Sequence, residues 1–302
     1  MNFGHLFGKK SKSKSSKNSN DNEKFETNVK NSTQIQEKIP AREAIHSDGV
    51  LNVYPVDTST ILSGSQDRTL VLYDFINHRI RRRWTGHEND VVKVLYGHIV
   101  NLVVSASRDR TIHFWNINSD LPVQKLLGHE LVVTAIDFNP ENSVLISGSR
   151  DNKIIFWDTK TGQILKKIMI GRNLITDAKW SHDGTFIAQT GEDKETNGAE
   201  ISLWDIRQRK LLSEFYGHRA TVNSGHFVDP TASMIISCSN DGRAILWNVQ
   251  QTSIFAELDV DNATPLTSII AVNTQNFATG GLNGKVSFVQ RLNRQLQLTD
   301  QI

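Results

Sequence analysis

The chain has 302 residues, a formal net charge of +2, 38% hydrophobic and 22% charged residues, and one cysteine. Cys238 alone excludes an internal disulfide framework and suits a reducing compartment. No apolar run approaches the length of a membrane-spanning helix, and the N-terminal residues read without a signal-peptide apolar segment.

The charge is unevenly placed. Residues 1–33 hold seven lysines against Asp21, Glu23 and Glu26, a local charge of +4 that leaves −2 for the rest. This Lys/Ser/Asn-rich stretch is expected to be a disordered tail, because it cannot bury enough apolar surface to order itself. Within it, Phe3, Leu6 and Phe7 precede Lys9, Lys10, Lys12, Lys14 and Lys17. That pattern fits weak contact with an anionic membrane at about 1 kcal/mol per lysine near the surface, or else a plain solvated tail. Asn2 excludes N-myristoylation of the sequence as written. A net negative remainder gives no electrostatic footprint for nucleic acid.

From His46 onward the chain repeats itself. The stretch Gly128 to Gln163 shows the pattern: Gly128-His129, an alternating apolar run, a turn at Asn139-Pro140, a second run ending Ser147-Gly148-Ser149, a tight turn at Asp151-Asn152, and a third run ending Trp157-Asp158. A fourth run, Ile164 to Ile168, precedes the next unit. Short β-type runs divided by turn residues predict a four-stranded antiparallel meander. The third-run anchors are Tyr73, Trp115, Trp157, Trp204, Trp247 and Val289, spaced by 42, 42, 47, 43 and 42 residues. Six units follow from this count.

Units of about this length that open with Gly-His and close with Trp-Asp resemble the WD-repeat family, in which each unit is one blade of a β-propeller. The expectation is an all-β, six-bladed, monomeric propeller over residues 34–302. Several local strings, among them Ser105 to Arg110, Gly148 to Asn152 and Pro265 to Ser268, resemble a member group with seven repeats. That group is associated with cilia and with the trafficking of ciliary transport complexes. The resemblance implies a protein-interaction scaffold in the cytoplasm, the cilium or the ciliary base. It also raises the alternative that six units represent a seven-blade plan lacking one blade. Two segments compete for the strand that would complete the last blade, Ile35 to Ile39 and Gln295 to Leu298, and the N-terminal one is expected to take it.

Two units are irregular. The fourth carries a long loop, Gly191 to Ala199, and reads as the front of one blade joined to the back of another. The sixth has Asp261-Asn262, Asn283 and Val289 in place of every polar anchor.

His129, Ser147 or Ser149, Asp151 and Trp157 superficially suggest a Ser-His-Asp triad. The same set recurs as His87, Ser105 or Ser107, Asp109 and Trp115, and as His218, Ser237 or Ser239, Asp241 and Trp247. A catalytic site needs one preorganised constellation rather than one per repeat. The family resemblance instead implies buried structural tetrads linking histidine, aspartate, hydroxyl and indole. No phosphate loop, metal-ligand spacing or cofactor motif stands out, so neither a metal nor a cofactor nor an enzyme is expected.

The resemblance places the residue before each turn aspartate on one face, around the channel: Gln66, Arg108, Arg150, Glu192 and Asn240, with Leu282 last. Asp90, Val132 and Arg172 should flank them. Arg108 and Arg150 fall in consecutive units and together could hold a carboxylate-bearing protein partner. They could equally pair with internal acids such as Glu192 or Asp193. A second candidate is Trp204-Asp205-Ile206-Arg207, which resembles the WDxR box by which some propellers dock on cullin-type ubiquitin ligases.

Overall fold

A computed structural model describes residues 44–170, 174–192, 199–261 and 263–302. The lysine-rich tail, the candidate strand at 35–39, Arg172, Asn262 and most of the loop after Glu192 lie outside these. Among the described residues the chain is all β, in six antiparallel four-stranded sheets. Blade 1 is β1 (Val50–Pro55), β2 (Thr60–Ser65), β3 (Leu70–Asp74) and β4 (Arg79–Trp84). Blade 2 is β5 (Val91–Gly97), β6 (Leu102–Ser107), β7 (Thr111–Asn116) and β8 (Pro122–Leu127). Blade 3 is β9 (Val133–Phe138), β10 (Val144–Ser149), β11 (Lys153–Asp158) and β12 (Ile164–Met169). Blade 4 is β13 (Leu174–Trp180), β14 (Phe186–Glu192), β15 (Ala199–Asp205) and β16 (Lys210–His218). Blade 5 is β17 (Val222–Phe227), β18 (Met234–Ser239), β19 (Arg243–Asn248) and β20 (Ser253–Asp259). Blade 6 is β21 (Leu266–Ala271), β22 (Asn276–Gly281), β23 (Val286–Leu292) and β24 (Gln295–Gln301).

Two sequence expectations are corrected here. The last blade is completed by the C-terminal strand β24, not by an N-terminal segment. The reason is local: a short hairpin turn with Asn293 at φ +56° returns the chain directly onto β23, so pairing needs no distant partner. The fourth unit is likewise one continuous blade, β13 to β16, rather than halves of two.

Turn chemistry explains why the strands end where they do. Between the second and third strands the chain must pass through a left-handed residue, supplied by Arg68, Arg110, Asn152, Gly242 and Gly284. The turn aspartate holds that corner: in blades 2, 3 and 5 Asp109, Asp151 and Asp241 accept the N–H of Thr111, Lys153 and Arg243 at 2.9–3.0 Å.

The apolar core lies between blades. Inner-strand residues such as Val91 and Val94 of blade 2 pack onto Leu62, Leu70 and Leu72 of blade 1. Gly64 makes room for them, since a Cβ there would sit 2.8–2.9 Å from the two valine methyls. Ile175 meets Gly148 in the same way.

The tetrads form in blades 2, 3 and 5, and the structure decides which hydroxyl serves. His87 Nδ1–H donates to Asp109 at 2.7 Å, Ser105 Oγ–H donates to His87 Nε2 at 2.7 Å, and Trp115 Nε1–H donates to Ser105 Oγ at 2.8 Å. His129, Asp151, Ser147 and Trp157 repeat this at 3.0, 2.7 and 2.8 Å, and His218, Asp241, Ser237 and Trp247 at 3.0, 2.8 and 2.8 Å. The other serines, Ser107, Ser149 and Ser239, instead accept the backbone N–H of the turn aspartate. His46 joins Asp67 and Ser63 in blade 1, where Tyr73 replaces the indole. In blade 4 Gln189 stands at the serine position, and Trp204 Nε1–H finds no partner among the described residues.

His113 departs from its counterparts Ile155 and Ile245, which occupy the same register. It is buried, stacks on His87 with centroids 3.9 Å apart, and neither ring nitrogen has a partner among the described residues. Burial, helped by the neighbouring His87, pushes its pKa down from 6.5 to about 3.

Two predictions follow from these contacts. Ser147→Ala orphans both His129 and Trp157 and should cost about 2–4 kcal/mol in denaturant unfolding, whereas Ser149→Ala should cost about 1 kcal/mol. Equal losses would show that the hydroxyls are interchangeable. His113→Ile should raise stability by about 1 kcal/mol at pH 7, because it removes an unsatisfied buried group. Neutral in the folded state, His113 takes up a proton on unfolding below pH 6.5. Its contribution is therefore full above that pH and is lost toward pH 3, at up to about 1.4 kcal/mol per pH unit. The variant should show a shallower loss between pH 6.5 and 4.

Candidate functional site

Five of the residues expected on one face are held by the same backbone contact. In five blades the residue before the turn aspartate, or before Asn283 in blade 6, donates its backbone N–H to the loop that leads into the inner strand. The pairs are Gln66 to Gly49 O, Arg108 to Asp90 O, Arg150 to Val132 O, Asn240 to Thr221 O and Leu282 to Pro265 O, at 2.8–3.1 Å. Each pair of loops is thus fixed as a unit, with Asp90 and Val132 flanking Arg108 and Arg150 as expected. Glu192 ends β14 and pairs in register with Leu174, so it belongs to the same end of blade 4.

Arg108 and Arg150 sit on consecutive blades whose inner strands β5 and β9 pack together. Their side chains differ in what holds them. Arg108 Nη1 lies 3.3 Å from Asp90 Oδ2, an ion pair within its own blade, although Arg108 remains 52% exposed. Neither arginine pairs with Glu192. Arg150 is exposed, and no acid among the described residues pairs with it. Asn240 is partly committed, since Asn223 Nδ2 donates to its Oδ1 at 2.7 Å.

A second polar constellation was not singled out in the sequence. The inner strands carry Lys93, Asp137, Asp177, Lys179 and His226 toward the channel. Lys93 Nζ of blade 2 lies 3.6 Å from Asp177 Oδ1 of blade 4. It reaches past blade 3 because Ala135 occupies the same register there and leaves space. Asp177 is buried and also accepts from Ser224 Oγ at 2.8 Å, while Lys179 Nζ lies 3.7 Å from Asp137. Burial alone would raise the Asp177 pKa, but Lys93 and Lys179 outweigh it and hold the carboxyl below its usual range. Burial would lower Lys179, and Asp137 and Asp177 reverse that and keep it charged. Burial dominates at His226, whose pKa falls to about 3. The signal available in the sequence was charge on innermost strands, where the repeat otherwise places apolar residues.

Of the WDxR residues, Trp204 packs into the cluster between blades 3 and 4, Asp205 is buried and accepts Gln208 N–H at 2.7 Å, and only Arg207 is exposed. A surface groove of about 640 Å³ lies elsewhere, between Ile254–Glu257 of β20 and Arg294–Gln297 of blade 6.

Burial separates the two charge systems energetically. Asp90→Asn should change stability by less than about 1 kcal/mol, as for an exposed ion pair. Asp177→Asn should cost about 3 kcal/mol or more, because it leaves Lys93 without its buried partner. Thermal unfolding of both variants side by side tests this, and equal effects would refute a structural role for the channel charges.

Comparison with known proteins agrees with this geometry. The family model "WD domain, G-beta repeat" matches residues 44–74, 79–116, 121–158 and 209–248. The chain is similar to the Target of rapamycin complex subunit wat1 of Schizosaccharomyces pombe, 25% identical over 120 residues, which are 40% of this chain and 36% of that protein. It is 24% identical over 110 residues to the Methylosome protein WDR77 of Xenopus laevis, covering 35% of this chain and 32% of that one. It is 32% identical over 101 residues to the U3 snoRNP-associated protein-like EMB2271 of Arabidopsis thaliana, covering 33% and 20%. The matches thus span about a third or less of these relatives' lengths. In three dimensions the chain superimposes on the structure of U3-55K and on the RRP9 WD40 repeats, each with a TM-score of 0.76 and 18% identity over 85% of this chain and 82% and 81% of theirs. At that identity the likeness shows the fold. Four stretches of the chain thus match the WD-domain repeat, and the chain has the β-propeller fold.

Proposed function

We propose that the protein is a non-catalytic interaction scaffold whose docking face is the rim carrying Arg108 and Arg150. The observation that carries this reading is an exposed pair of guanidinium groups on adjacent, backbone-locked loops, one of them without an acid among the described residues. Arginines on backbone-bonded loops lose little main-chain freedom on binding and can take a carboxylate in bidentate fashion. The His-Ser-Asp sets, by contrast, are consumed by the tetrads. The relatives described above, a complex subunit, a methylosome protein and a U3 snoRNP-associated protein, are by name assembly components, which favours a scaffold.

The finer reading rests on the local strings quoted above, which resemble WD repeat-containing protein 31. It assigns the scaffold to cilium assembly and the trafficking of ciliary transport complexes, in the cytoplasm or at the ciliary base. The rival reading, a cullin-ligase substrate receptor, keeps one supporting observation, the exposed Arg207. The two use different loops and can be separated.

Affinity capture with the tagged full-length protein, the Arg108→Glu/Arg150→Glu variant and Arg207→Ala decides between them. Loss of ciliary transport components only in the double variant is the expected result. Retention of every partner by a folded double variant would overturn the rim as the docking face. Loss of a cullin adaptor with Arg207→Ala would transfer the function to the WDxR loop.

A further inference from the structure

The blade-to-blade packing is repeated five times and then stops. Inner strands pack in succession, β1 on β5, β5 on β9, β9 on β13, β13 on β17 and β17 on β21, but β21 and β1 form no such junction. The two faces that would make the sixth junction are both uncovered.

On blade 1, Val50 and Val53 occupy the registers of Val91 and Val94 in blade 2 and of Leu266 and Ile269 in blade 6. Those four counterparts are buried, whereas Val50 is 49% and Val53 51% exposed. On blade 6, Val286 and Phe288 stand where Ile112 and Phe114 stand in blade 2 and Ile154 and Phe156 in blade 3. Those counterparts are also buried, and Val286 is 42% and Phe288 37% exposed.

Two details show what the blade 6 face is shaped to receive. Gly280 holds the register of Gly64 and Gly148, the glycines that make room for the next blade's Val91 and Ile175. A Cβ at Gly280 would meet only Ser268 and Thr267 of its own blade, so the room is kept and nothing fills it. Thr134, Thr176 and Asn223 each donate to a carbonyl at the start of the next blade's inner strand, that of Ile175, Val222 and Leu266, at 2.5–2.7 Å. Thr267 holds the same position in blade 6 and turns back to Gly280 O at 3.1 Å. The carbonyl it lacks is the counterpart of Val50 O.

We infer that this split is an interface between copies of the chain, in which blade 6 of one copy receives the Val50/Val53 face of blade 1 of another. The two faces are complementary halves of a junction this sequence already makes five times. Among the described residues, blade 1 carries the one uncovered inner-strand valine pair, and the structure keeps it off its own blade 6. A second copy brings both. The contact is heterologous, so it propagates until the rotation closes a ring or continues as a filament. This replaces the expectation of a monomer.

Light scattering after size exclusion, on the full-length protein across a concentration series, tests the inference. The expected result is a mass that grows with concentration. Val53→Lys and Phe288→Lys should each abolish the growth by weakening association roughly tenfold or more. Both side chains are already exposed, so far-ultraviolet circular dichroism should be unchanged. An equimolar mixture of the two variants should give a one-to-one dimer and nothing larger, because each retains the face the other has lost. A wild-type monomer at every concentration overturns the inference. In that case hydrogen exchange distinguishes self-closure, with β1 and β23 protected, from a face left open. Protection that disappears on removing residues 1–43 would assign the cover to the chain's own N-terminal segment.

Discussion

A short antiparallel sheet that is apolar on both sides cannot stand alone in water, and that constraint organises this protein. Each blade has two faces to cover, and in the five junctions present the covering surface is another blade. The junction is specific rather than merely greasy: a β-branched or aliphatic pair on an inner strand enters a depression left by a small residue such as Gly64 or Gly148 on the preceding blade. Side chains of that shape have few rotamers, so the fit costs little ordering entropy. Polar groups then fix the register that the apolar fit permits. The tetrads clamp strands within a blade, the Thr134, Thr176 and Asn223 bonds tie a blade to its successor, and the channel charges bridge across an intervening blade.

This division explains what the sequence made legible. Within a blade the determinants are local, and so the strand runs, the turn aspartates and the histidine–indole pairs were readable at a fixed period. The choice between Ser147 and Ser149 was not, because both lie on one strand facing the same way and only the three-dimensional position of His129 separates them. The rim was readable because its residues hold a constant offset from the turn aspartate. The channel network was not, since Lys93 and Asp177 are far apart in the chain and their pairing depends on the small side chain of Ala135 between them. Blade 4 misled for a related reason. Losing the serine and lengthening one hairpin erased its signature, yet neither change prevents four consecutive strands from pairing.

The rim and the split are different kinds of surface. The rim offers the exposed Arg108 and Arg150 on backbone-bonded loops, the surface proposed above for an acidic partner. The split is apolar and has the shape of an interior. Arg108 and Arg150 belong to blades 2 and 3 and the split to blades 1 and 6, and a scaffold gains valency if both are used.

Every blade here is made of four neighbouring strands, with none borrowed from the opposite terminus. Among the described residues the array therefore has no clasp. Its sheets can be completed one after another as the chain leaves the ribosome, with only nearby contacts required at each step. Gain or loss of a whole unit would alter the curvature of the array without severing any sheet, which makes blade number an easily varied property of this architecture.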